Sequence, residues 1–86
     1  MVTQKHKLFI GGLSPASTSK DLLFYFSQFG PVVEAVVLFD KMKGVSKGFG
    51  FCTFGTEKAV EGALSVSAHW IGGVSVAVRH YTSTSH

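Results

Sequence analysis

The residues of this chain that can do chemistry are aromatic and basic, and they are interleaved. Residues 47–54 read Lys47-Gly48-Phe49-Gly50-Phe51-Cys52-Thr53-Phe54. In an extended strand successive side chains point to opposite faces, so Lys47, Phe49, Phe51 and Thr53 share one face and Gly48, Gly50, Cys52 and Phe54 the other. An open sheet face is usually polar, so two phenylalanines there point to a ligand. A second run, Leu8-Phe9-Ile10-Gly11-Gly12-Leu13, turns Phe9 outward if Leu8 and Ile10 point inward. Three rings bordered by ammonium groups can stack planar groups and neutralise anions.

The elements that must carry these rings follow from length and pattern. Eighty-six residues suffice for one small domain and no more. The chain is 45% hydrophobic and only 15% charged, which excludes disorder. Eleven aromatic residues, eight of them phenylalanine, are more than so small an interior readily hides. Lys7-Leu8-Phe9-Ile10 reads as a strand, followed by a helix over about 19–29 opened by Thr18 and stopped by Gly30-Pro31. Leu22, Tyr25, Phe26 and Phe29 form its core stripe, and Leu23 and Phe24 lie outside it. Val32 to Phe39 is a second strand, residues 40–46 a basic loop, and residues 48–54 a third strand. Thr56 caps a second helix over about 57–65 with Val60, Ala63 and Leu64 on its core side. A loop through Trp70 and Gly72-Gly73 leads to the alternating run Val74 to Arg79, with the valines inward and Ser75, Ala77 and Arg79 outward.

The order β-α-β-β-α-β in so short a chain predicts an α+β, ferredoxin-like sandwich: a four-stranded antiparallel sheet with two helices on one face. Residues 7–81 form the domain, with loose segments at 1–6 and 82–86. On this order Lys47 through Phe54 resembles the RNP1 octapeptide of the RNA recognition motif, with Cys52 where valine is usual, and Leu8 through Leu13 resembles its RNP2 hexapeptide. The two lie on sheet neighbours, and the chain is most similar to the heterogeneous nuclear ribonucleoprotein A/B and Musashi-type branch.

That resemblance implies a single-stranded RNA-binding domain acting in mRNA processing or post-transcriptional regulation. It implies that Phe9 and Phe51 stack on bases and that Phe49 lies between sugars. Gly48 and Gly50 are expected to let the helices approach the sheet. Lys5, Lys7, Lys41, Lys43, Lys47 and Arg79 lie on the sheet side or its loops, with Lys7, Lys47 and Arg79 the foremost phosphate or base contacts and Lys41 and Lys43 mobile contributors. Ala77, Arg79, His80 and Tyr81 occupy the stretch that reads bases in the resembled branch. Tyr81 is either a fourth ring or part of a frayed end. Val45 and Ala77 stand where that branch often has an arginine and an acidic residue, so its base preference does not transfer. Val36 and Leu38 either extend the platform or leave an edge open to another strand.

Other functions are weighed on the same residues. Leu23, Phe24 and Trp70 are candidate anchors for a protein partner on the face opposite the rings, and single-stranded DNA is an alternative ligand. Catalysis is not expected: His6, His69, His80 and His86 are scattered without ligand spacing, and neither a nucleophile elbow nor a Walker loop is present. Arg79 alone does not make the anion cradle of the acyl-phosphate hydrolases that share this topology. No cofactor or metal is expected, and Cys52 reads as an inert core thiol. The longest apolar run, Ala35 to Phe39, is far shorter than a membrane span. The expectation is a monomeric, intracellular domain of nucleus or cytoplasm, and a module of a longer protein.

Overall fold

Thr18 begins the first helix as its spacing predicts. Its hydroxyl accepts from the Asp21 N–H at 3.2 Å while the Asp21 carboxylate accepts from the Thr18 N–H at 2.9 Å, a complete capping box. In the computed structural model, which describes residues 6–81, this helix is one of seven elements. They are β1 (Lys7–Gly11), α1 (Ser19–Phe26), β2 (Val32–Asp40), β3 (Val45–Phe54), α2 (Glu57–Ser65), β4 (His69–Ile71) and β5 (Val74–His80). The strands pair antiparallel in the order β2-β3-β1-β5-β4, and the architecture is the ferredoxin-like α+β sandwich. Residues 1–5 and 82–86, including Lys5 and all but His6 of the two segments read as loose, lie outside the described residues.

The sheet has five strands where four are expected. Trp70, placed in a loop by sequence, is the middle residue of β4, which returns to β5 through the two-residue turn Gly72-Gly73. Both glycines have left-handed backbone, φ 62° and 79°, the condition for so tight a hairpin, and only glycine meets it without steric cost. Three residues are too few for an alternation to be visible. Helix α1 is shorter than expected: its α-helical part ends at Phe26, and tighter turns, Phe26 C=O to Phe29 N–H at 3.0 Å and Ser27 C=O to Gly30 N–H at 3.3 Å, carry the chain to Gly30.

The core lies between the helices and one sheet face. It is built on Leu8, Ile10, Val37, Cys52, Phe54 and Val76 from the strands, Leu22 and Phe26 from α1, and Ala59, Val60 and Ala63 from α2. Leu64, expected inside, is 41% exposed, and Ala59 takes the inner position instead. Its partner is Gly30, where a Cβ would come within 2.6 Å of the Ala59 methyl, so α2 packs against bare backbone at that point. Gly50 has a different reason from the one expected. A Cβ there would fall on the Val36 carbonyl oxygen, so this glycine admits the backbone of β2 rather than a helix.

One buried polar chain ties three elements together. His69 Nε2 lies 2.9 Å from the Ala63 carbonyl oxygen, which can only accept, so Nε2 carries the proton and donates. In the neutral imidazole Nδ1, 2.7 Å from the Tyr25 hydroxyl, then accepts from it. Burial raises the Tyr25 pKa, and the neighbouring Trp70 backbone opposes that shift. Rings of Tyr25, Phe26 and Phe29 pack around the imidazole at 5.7–6.0 Å. His69→Ala is expected to lower stability by about 2–4 kcal/mol, since it opens a cavity, strands the buried Ala63 carbonyl and removes the partner of the half-buried Tyr25 hydroxyl. Tyr25→Phe removes one hydrogen bond and should cost about 0.5–1.5 kcal/mol, both changes read as shifts of the urea midpoint.

Candidate nucleic-acid interface

The register of the two central strands assembles the site. β1 and β3 pair Phe9 with Phe51 and Gly11 with Phe49, while Leu8 and Ile10 face the core opposite Cys52 and Gly50. The rings consequently meet on the open face: Phe9 lies 5.6 Å from Phe49 and 5.9 Å from Phe51, and Phe49 lies 6.3 Å from Phe51. Tyr81 joins them. Its N–H donates to the Lys7 carbonyl at 2.9 Å, prolonging the pairing of β1 with the end of β5, and its ring meets Phe51 edge-on at 5.2 Å. The frayed alternative for this residue is thereby set aside. All four rings are partly exposed, and between them they offer faces and edges on which flat groups can stack.

Basic groups border the rings unevenly. The Lys7 ammonium stands 4.6 Å from the centre of the Phe51 ring and 4.8 Å from that of Tyr81. Such a contact is worth about 0.5–1 kcal/mol at an exposed site, little enough for a stacking base to displace it. Arg79 is exposed beside Phe9 in register, and Ala77 beside Gly11. His80 stands opposite the core residue Leu8, so parity turns it from the platform, although it borders a recess of about 310 Å³ with Phe9, Arg79 and Tyr81. Lys41 and Lys43 are exposed in the turn between β2 and β3. The Asp40 carboxylate organises that turn, accepting from the N–H groups of Met42 at 2.9 Å and Lys43 at 3.2 Å, so the two lysines project from a tied loop and not a slack one.

Two expectations about the outer face need correction. Lys47 is exposed, but Gly48 is left-handed at φ 82° and the pairing with β2 shifts register alongside it, so alternation does not carry the outward parity of Phe49 back to Lys47. Thr53 keeps its place in register but is only 8% exposed, flanked by the longer Lys7 on one side and Glu34 on the other. Glu34 was itself missed. It is exposed on the platform face, and the parity that turns Val36 and Leu38 outward would have found it. Its carboxyl oxygens can accept from the amino or hydroxyl groups of a ligand. Val36 lies beside Phe51 in register and extends the apolar surface of the platform.

Most of the chain is similar in sequence or fold to known proteins. The model of the RNA recognition motif family matches residues 8–76. This chain belongs to that family. Among its relatives, the RNA-binding protein Musashi homolog 1 of Caenorhabditis elegans is 40% identical over 76 residues, 88% of this chain and 24% of that protein. The heterogeneous nuclear ribonucleoprotein D-like protein of Rattus norvegicus is 41% identical over 71 residues, 83% of this chain and 22% of that protein. The chain thus spans about a quarter of the length of each of these two relatives. The RNA-binding domain of Hrp1, solved in complex with RNA, superposes with a TM-score of 0.86 at 28% identity, over 94% of this chain and 48% of that one. The second RRM domain of yeast poly(U)-binding protein Pub1 superposes at 0.78, over 93% of this chain and 98% of that one, and at 23% identity it bears on the fold alone.

In this RNA recognition motif the cysteine of the RNP1 segment is on the wrong side of the sheet to meet a ligand. Cys52 is fully buried in the core, and burial pushes its thiol pKa up to about 12. At pH 8 the thiolate fraction is then on the order of 10⁻⁴, and the sulfur is sterically covered as well. Native protein is expected to resist iodoacetamide at pH 8 and to react fully once unfolded in urea. Rapid labelling of the native domain, followed by mass spectrometry, would contradict this placement.

Proposed function

We propose that this RNA recognition motif binds single-stranded RNA on its open sheet face, as a non-catalytic module in mRNA processing or post-transcriptional regulation. The observation that carries the reading is the convergence of Phe9, Phe49, Phe51 and Tyr81 into one exposed aromatic surface with the Lys7 ammonium over two of its rings. Bases stack on Phe9 and Phe51, and Phe49 lies against sugars. Every base has a π-face, so such a platform accepts many sequences, at about 1–3 kcal/mol per stacked base. Lys7, Arg79, Lys47, Lys41 and Lys43 contact phosphates, with Arg79 and Lys7 close enough to the rings to reach base edges. The backbone and side chains of residues 77–81 add base contacts. Relatives that carry RNA-binding names, and a structural neighbour solved with RNA, support this assignment. The 2′-hydroxyl is what separates RNA from single-stranded DNA here. A compartment where RNA is processed or translated, nucleus or cytoplasm, is the corresponding location, and the domain acts as a monomer.

The Phe49→Ala/Phe51→Ala double variant is expected to keep its fold, because both rings project from the side of the sheet away from the core. It should lose at least about fivefold in affinity for RNA selected from a random pool, the base stacked on Phe51 being worth at least about 1 kcal/mol and the sugar contact of Phe49 adding to that. Undiminished binding would sink the platform. For the wild type, neutralising about four phosphates predicts roughly a fiftyfold loss of affinity between 50 and 200 mM salt.

A second reading concerns the opposite face. Phe24 is 86% exposed and Trp70 60%, and they flank a groove of about 680 Å³ between α1 and the β4–β5 hairpin, lined also by Tyr25, Gln28 and Ile71. We propose this groove as the docking site for a protein partner; Leu23, 44% exposed, is not among the residues that line it. Phe24→Ser/Trp70→Ser should leave RNA affinity within twofold while abolishing any partner captured through this face. A matching loss of RNA binding would show that the two faces are not independent.

A further inference from the structure

Gly11 faces the open side of the sheet yet is buried. It lies two residues beyond Phe9 on β1, between Phe49 of β3 and Ala77 of β5. What covers it is the Phe9 ring. A Cβ built on Gly11 would have as its three nearest neighbours Phe9 Cε2 at 3.0 Å, Cζ at 3.5 Å and Cδ2 at 4.0 Å. The ring edge therefore lies across bare strand, leaning toward Phe49, to which it is tilted by 31°. Backbone conformation is not the reason for glycine here: Gly12 is left-handed at φ 77°, whereas Gly11 is not.

From this contact we infer that Gly11 is a positioning residue for the RNA platform, its missing side chain setting the height and tilt of the Phe9 ring. The inference rests on the RNA-binding reading above and deepens it. A methyl at position 11 meets only the far end of a side chain that can turn, so the strand keeps its place and the ring gives way. The movement is small but falls where it matters. A ring met at 3.0 Å must give by a few tenths of an ångström, and dispersion between flat groups is steep enough in distance that a gap of about 0.5 Å already forfeits about a quarter of it. The Phe9 ring also shares its surface with Phe49 and Phe51, so displacing it breaks up a continuous stacking area.

The test is a double-mutant cycle of Gly11→Ala with Phe9→Ala, read by fluorescence anisotropy on labelled RNA of the sequence that the wild-type domain selects from a random pool. Gly11→Ala is expected to weaken binding about three- to tenfold with Tm within a few degrees of wild type. In the Phe9→Ala background the same change should alter affinity by less than about 1.5-fold. Free-protein NMR should show contacts from the Phe9 ring to the Gly11 Hα protons, and in Gly11→Ala the Phe9 ring signals should shift while those of Leu8 and Ile10 stay. Wild-type affinity in Gly11→Ala, an equal loss in both backgrounds, or a collapse of Tm would each overturn the inference. An equal loss would mean the methyl meets RNA directly, and a collapse that the strand rather than the ring absorbs it. If the wild-type domain selects no RNA, the binding reading itself fails, while the NMR contacts still report whether the ring lies over Gly11.

Discussion

The rest of the structure depends on the register between β1 and β3. Pairing Phe9 with Phe51 puts Leu8, Ile10, Cys52 and Phe54 together on the face covered by the helices. A slip of one residue would turn a phenylalanine-rich surface into the core and leave aliphatic side chains in water, so the hydrophobic effect enforces the pairing that builds the site. Stability and ligand chemistry are thus two sides of one set of strands. The platform is an obligatory by-product of core formation, with its rings held where the strands put them.

The glycines of these segments have distinct local causes. Gly50 admits the β2 backbone, Gly30 admits Ala59, and Gly48 takes a left-handed conformation where β3 loses its regular pairing with β2. Gly11 belongs to the outer face, under the Phe9 ring. A pattern that alternates glycine with phenylalanine is thus a record of close approach as much as of aromatic display. On the far side of the sheet the Tyr25–His69–Ala63 chain does comparable work, joining α1, β4 and α2 through fully committed polar atoms. It also anchors the hairpin that holds Trp70 out beside Phe24.

Much of this was legible in the chain. The capping residues Thr18 and Thr56 mark helix starts because a hydroxyl at that position answers an otherwise unpaired N–H, a requirement confined to a few neighbouring residues. Alternation assigned Phe9, Phe49 and Phe51 to one face for a similarly local reason. It loses force where the strand stops being regular: Lys47 sits beyond the irregularity at Gly48, and β4 is too short to alternate at all, while Thr53 keeps its face but is shielded by residues from two other strands. Leu64 was misassigned because nine residues of helix allow more than one stripe, and contact with Gly30 chose between them.

By itself the sequence determined the order of the two helices and the four longer strands, the two faces of each central strand and the family, since all three rest on periodicity and short motifs that are complete within a few residues. Tertiary structure alone decided which basic groups border which rings, that Tyr81 is tied to Lys7, and that the Phe9 ring lies over Gly11. Each of these is a meeting of residues from different strands, or of a ring with bare backbone. Such meetings are set by register, bulges and close packing, quantities that no single stretch of chain contains.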